Sequence, residues 1–167
     1  MTRNILMLGA VLLLAACGFS PLYGKHSAGA DQSVRAEMGR IYIANIADQS
    51  GQYLRNALMD RFYSTGRPGA NAPYTLSIAT ISESRSELDI TKTSDSTRAQ
   101  LYITTSMVLS NQDGEELVKR SLTAVTSYNI LDSQFTTRVA EDAARRQALD
   151  DVARQIETHL LLYFNHK

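Results

Sequence analysis

Arg98-Ala99-Gln100-Leu101-Tyr102-Ile103-Thr104-Thr105-Ser106-Met107-Val108-Leu109-Ser110 runs into Asn111-Gln112-Asp113-Gly114, and a second alternating stretch follows from Glu116 to Asn129. Aliphatic residues recur at Leu101, Ile103, Met107 and Leu109, then at Leu122 and Ala124. A period of two marks strands buried on one face, whereas a helix would repeat near 3.6. Asp113-Gly114 between the two runs signals a hairpin, because both residue types tolerate the positive φ that tight turns need. The pair predicts strands over about 98–110 and 116–129.

Upstream, Arg40–Ile46 reads as a first strand, rich in β-branched residues and closed by Asn and Asp. Asp48 or Ser50 is placed to cap a helix over about 51–63, with Leu54, Ala57, Leu58, Arg61 and Phe62 on one face. Ser64-Thr65-Gly66-Arg67-Pro68-Gly69 stops it. A second strand covers about 74–87. Its later part, Ser82-Glu83-Ser84-Arg85-Ser86-Glu87, alternates serine with charge and reads as an exposed extension, followed by a polar loop to Thr97. Downstream, a helical period runs from about Phe135 to Phe164, with Val139, Ala143, Leu149, Val152, Ala153, Ile156, Leu160 and Tyr163 as its apolar stripe.

Each strand thus has one aliphatic face, including Ile41/Ile43 and Leu76/Ile78. Two helices are enough to cover it. The expected fold is α+β, a four-stranded sheet with two helices packed on one face in the order β-α-β-β-β-α. The opposite positions are Thr75/Ser77, Tyr102/Thr104/Ser106 and Ser121/Thr123/Ser127. A face of uncharged hydroxyls is either plain solvated sheet or a surface that enters a water-lined cavity without burying charge.

Composition narrows the function. In 167 residues, 17 Lys+Arg balance 17 Asp+Glu, which argues against a nucleic-acid module, since phosphate backbones require an excess of clustered cations. The single cysteine forbids an internal disulfide or a multi-cysteine metal site. His26, His159 and His166 have no partners at ligand spacing, so neither metal nor cofactor is expected. No G-x-S-x-G context places a nucleophile and no glycine-rich cradle places a phosphate. The carboxylate pairs Glu83/Glu87 and Asp150/Asp151 are explained by a strand edge and a solvated helix face. The chain reads as a non-enzyme.

Met1-Thr2-Arg3-Asn4, the apolar run from Ile5 to Leu14, and Ala15-Ala16 before Cys17 have the layout of a secretory signal peptide, too short to span a bilayer as a helix. Leu14-Ala15-Ala16-Cys17 resembles the lipobox of bacterial lipoproteins. The resemblance implies diacylation of the Cys17 thiol, removal of residues 1–16 and acylation of the new amino terminus. Three chains, at about 0.8 kcal/mol per buried methylene, make a practically permanent anchor. Gly18 stands where aspartate commonly marks inner-membrane retention, so outer-membrane delivery is expected. Residues 17–39 then read as the acylated N-terminus and a flexible tether, and 40–167 as a single domain.

Cys17-Gly18-Phe19-Ser20-Pro21-Leu22-Tyr23-Gly24 resembles the mature start of the LptE family of LPS-assembly lipoproteins, particularly the alphaproteobacterial type. In the same order follow Gly51-Gln52-Tyr53-Leu54-Arg55-Asn56-Ala57-Leu58, Thr97-Arg98-Ala99-Gln100-Leu101, Ser127-Tyr128-Asn129-Ile130-Leu131-Asp132-Ser133 and Glu141-Asp142-Ala143-Ala144-Arg145. Gln134 departs from the pattern, standing where proline is expected before the long helix. The resemblance implies a mixed sheet and a position on the periplasmic side of the outer membrane. It also implies a partner, an LptD-like β-barrel that such proteins help assemble and plug during lipopolysaccharide delivery. Lipid phosphates would be met by Lys or Arg. The candidates are Arg98, Lys92, Arg85, Lys119 and Arg120, interleaved with Glu83, Glu87, Asp89 and Asp95. The rival expectation is an auxiliary lipoprotein of a periplasmic lipid-transport system.

Overall fold

The computed structural model describes residues 28–63, 66–69, 71–88, 98–131 and 133–167. Cys17, Lys92, the 1–16 leader and residues 17–27 of the expected tether lie outside them. The elements run α1 (Ala28–Met38), β1 (Ile41–Ile43), α2 (Asp48–Phe62), β2 (Tyr74–Ile78), β3 (Ser82–Leu88), β4 (Arg98–Asn111), β5 (Glu116–Asn129) and α3 (Gln134–Asn165). The fold is α+β with a mixed sheet, since β1 pairs parallel to β2 and every other ladder is antiparallel. Ser33–Lys167 forms one compact unit.

The β4–β5 hairpin is the spine, paired from Arg98↔Asn129 to Ser110↔Glu116. Gly114 takes φ +81 in its turn, which suits glycine. The Asn111 side chain accepts from the Glu115 amide at 2.9 Å and helps close the turn. The other edge of β4 is shared, with β2 on its C-terminal half and β3 on its N-terminal half. The expected second strand is therefore broken in two, and the sheet has five strands instead of four.

The break has a countable cause. Ile78 pairs with Met107 and Ser82 with Thr104, so four steps on one strand match three on the other. This extra residue is a bulge, and it reverses which side chains face the helices. Ala79 still donates its amide to Ser106 at 2.9 Å. Its carbonyl accepts the Thr105 hydroxyl at 2.8 Å. Thr105 interrupts the aliphatic series of β4 and is buried, and the bulge supplies the partner that a buried hydroxyl requires.

The core lies between the sheet and the helices. Leu76, Ile103, Met107, Leu109 and Leu122 meet Leu54 and Leu58 of α2 and Leu149, Val152, Ile156 and Leu160 of α3, all essentially inaccessible. A third helix joins this core. Val34 and Met38 of α1 are buried, so residues 28–38, read as tether in the sequence, include helix anchored by two side chains at a spacing of four. The i, i+4 signal was too short to stand out among the surrounding Gly, Ala and Ser.

Helix α3 has 32 residues, or about 48 Å at 1.5 Å each. Ser133 caps it by accepting from the Thr136 amide, so Gln134 begins the helix without the proline. Its buried residues begin only at Ala144. Val139 and Ala143, expected in the covering stripe, are exposed, as is Phe135, while Ala140 in the same stretch packs against the core. Edge strand β5 pairs only with β4. Its Lys119 and Thr123 carbonyls accept from Arg120 Nη1 at 2.9 Å and Gln155 Nε2 at 3.0 Å.

Helix α2 starts at Asp48, three residues earlier than expected, and no side chain caps it. Asp48 sits at φ +67, a conformation that Asp tolerates better than most residues. Gly51 lets this first turn pack against Ile46, where an added Cβ would lie 2.7 Å from Ile46 Cγ2. A Gly51→Ala substitution gains about 1 kcal/mol of helix propensity but introduces an overlap costing about 1–3 kcal/mol. Urea denaturation should show net destabilisation. Unchanged or higher stability would mean that Ile46 yields freely.

Candidate functional site

The face of the sheet away from the helices is built in rows. Ser82, Thr104 and Thr123 lie side by side across β3, β4 and β5, as do Ser86, Gln100 and Ser127. Ser84 aligns with Tyr102 and Val125, and Ser106 with Ser121. Thr75 and Ser77 extend the surface onto β2. Tyr102 donates to Gln100 Oε1 at 2.7 Å along the strand. The bulge creates the β3 part of this surface. With no extra residue, Ser82, Ser84 and Ser86 would face the helix side and three charged side chains would stand among the hydroxyls.

Those charges are used on the helix side instead. Glu83 accepts from Arg145 Nε at 2.8 Å and from the Ser50 hydroxyl at 2.6 Å, joining β3, α3 and α2. Arg145 also reaches Glu141 at 2.9 Å and Asp142 at 2.5 Å. Burial opposes the Glu83 charge, but the Ser50 and Arg145 hydrogen bonds outweigh it and hold the carboxyl below its usual range. The hydrogen bond to Glu83 is the chief reason that Arg145 is raised. Ser50, which the sequence placed as a helix cap, serves this clasp. The polar cavity beside it, about 390 Å³, is lined by Asp48, Tyr53, Glu83, Arg145 and Arg146 among others, and no His or Cys lines it.

Among the described candidate phosphate contacts, Arg85, Arg98 and the Lys119–Arg120 pair do not converge. Arg85 sits on the helix side of β3 in an ion pair with Glu87, whose hydrogen bond raises its pKa. Arg98 opens β4, exposed and opposite Leu88 and Asn129. Lys119 lies opposite Val108, ten residues along β4 from Arg98, or about 33 Å at strand spacing. Arg120 is beside it. Lys92 lies outside the described residues. The sequence missed that Lys119 and Arg120 share a groove with the end of α3, a proximity created by an edge strand and a helix 40 residues apart in the chain. Among the described residues, no group of three or more His, Cys, Asp or Glu could hold a metal ion, and no helix is long and apolar enough to cross a membrane.

The clasp has a pH signature. Glu83 titrates lower in the folded chain than in the unfolded one, so its contribution is complete above the unfolded value near 4.3 and is lost as pH falls through the folded value. Side-chain exposures of 28% and 27% screen the Glu83–Arg145 pair, which limits its worth to about 1 kcal/mol. Glu83→Gln should lower stability by about that amount at pH 7, and the difference should be smaller at about pH 3, as pH falls through the folded value. Urea titrations at both pH values check this, and a pH-independent difference would exclude the charge as its cause.

Comparison with known proteins supplies the family. The family model described as LptE, lipopolysaccharide-assembly, matches residues 38–160. A protein described as a lipoprotein from Caulobacter crescentus superimposes with a TM-score of 0.64 at 21% identity, covering 81% of this chain and 98% of its own. A minor lipoprotein from Acinetobacter baumannii gives 0.58 at 20% identity, covering 74% and 92%. The rare lipoprotein B from Shewanella oneidensis gives 0.54 at 12%, covering 72% and 90%. These likenesses show a shared fold. No curated protein sequence matches significantly. The family match takes in every strand and both core-covering helices, up to Leu160 of α3, and on that ground the chain belongs to the LptE family of lipopolysaccharide-assembly lipoproteins, which is non-enzymatic.

Proposed function

We propose that this lipoprotein is anchored through acylated Cys17 to the periplasmic side of the outer membrane. There it partners an LptD-like β-barrel, helps it assemble, and occupies its lumen during lipopolysaccharide delivery. The observation that carries the proposal is the hydroxyl face. Barrel interiors are polar and water-lined. A surface that enters one must hydrogen-bond widely while burying few unpaired charges, because stranding a charge is expensive. Serine and threonine rows across three strands meet that demand, and the adjacent charges of β3 are turned to the helix side, Glu83 into the clasp.

Photocrosslinkers at Ser77, Thr104 and Thr123 should capture the barrel in living cells, while one at Arg146 on the helix side should not. Capture of an inner-membrane transporter from the sheet positions would instead favour an auxiliary role in periplasmic lipid transport and overturn the plug. Thr104→Lys changes an exposed side chain and should alter stability by less than about 0.5 kcal/mol. Co-purification with the barrel should nevertheless fall sharply, and retained co-purification would mean that this face is not the contact. Cys17→Ala should abolish incorporation of labelled fatty acid and release the chain from the membrane fraction.

A further inference from the structure

The last turns of α3 and the edge strand β5 form a groove of about 520 Å³. Lys119 and Arg120 come from the strand, and His159, Leu162, His166 and Lys167 from the helix and its end. Leu117 and Tyr163 add to its apolar part. No Asp or Glu side chain lines it. The acid nearest to its cations in an ion pair, Glu116, is 3.6 Å from Lys119 with both side chains more than half exposed, so screening leaves Lys119 little neutralised. Lys167 rests on Tyr74, 3.0 Å from the hydroxyl and 5.1 Å from the ring centroid, contacts that position an ammonium without cancelling its charge.

Three permanent cations around an apolar floor match an anionic amphiphile. Charge-assisted hydrogen bonds hold a phosphate, and the floor removes methylenes from water at about 25 cal/mol per Å². The volume is that of a pocket for one small ligand, which suits a single headgroup better than a multi-chain glycolipid. Placement adds a second observation. Tyr74, under Lys167, is the register partner of Ile41, where β1 begins just after α1. The groove therefore lies at the end of the sheet where β1, the first strand, begins. We propose that it seats the phosphate and first acyl methylenes of an anionic glycerophospholipid in the leaflet to which Cys17 tethers the protein. The leaflet rests on the anchor reading above; the chemistry of the groove does not.

The test uses the acylated chain in dodecyl maltoside, with histidine ring resonances as the readout. Dihexanoyl-phosphatidylglycerol should shift His159 and His166, whereas dihexanoyl-phosphatidylcholine and inorganic phosphate at equal concentrations should not. Lys119→Gln with Arg120→Gln should weaken binding roughly thirtyfold, at about fivefold per cation. Leu162→Ser, on the exposed apolar rim, should also weaken binding and guards against a fault in the double variant. An equal response to phosphatidylcholine, an equal response to inorganic phosphate, a response to lipopolysaccharide alone, or none at all would each overturn the proposal. The mass of the N-terminal peptide reports the anchor separately. Unmodified Cys17 with phosphatidylglycerol still bound would remove the anchor reading while supporting the ligand.

Discussion

One hydroxyl-to-carbonyl contact sets the character of the sheet. Thr105 lies in the aliphatic series of β4, where an unpartnered hydroxyl would cost roughly 1–3 kcal/mol. Its partner is the Ala79 carbonyl, which is available because the neighbouring strand carries one residue more than its match. The same extra residue inverts the facing of β3. Core satisfaction and surface chemistry are thus coupled. Serines join the open face, and Glu83 turns toward Arg145.

The inversion explains how a balanced chain presents a largely uncharged surface without lacking charges. Arg145, Glu141, Asp142 and Glu83 are spent on holding α2, α3 and β3 together. Arg61–Glu157 ties the same two helices further along, at 3.3 Å. None of these pairs is deeply buried, so each adds little stability alone. Their joint effect is to link α2, α3 and β3 on the helix side of the sheet.

Much of this architecture was legible in the residues. The β4–β5 alternation and Asp113-Gly114 carry the hairpin unaided, and the 3.6 period carries most of α3. The facing of Leu76 and Ile78 was also readable. The break at Ala79–Ile81 was not, since no Gly or Pro marks it and the alternation runs on in both directions. Only the pairing with β4 reveals the odd residue. Helix α1 was hidden by its small-residue composition, and the exposure of Val139 by an assumption that an apolar stripe is covered along its whole length. For the candidate site, the hydroxyl face could be read because it depends on alternation alone. The grouping of Lys119 and Arg120 with His159 and Lys167 could not, because it depends on where a helix ends over a strand.

Edge strand β5 has a further consequence. Two of its carbonyls are already occupied, by the Arg120 guanidinium and the Gln155 carboxamide. An incoming polypeptide that tried to extend the sheet over 119–123 would have to compete with both. The middle of this edge is in this way kept from serving as a pairing template.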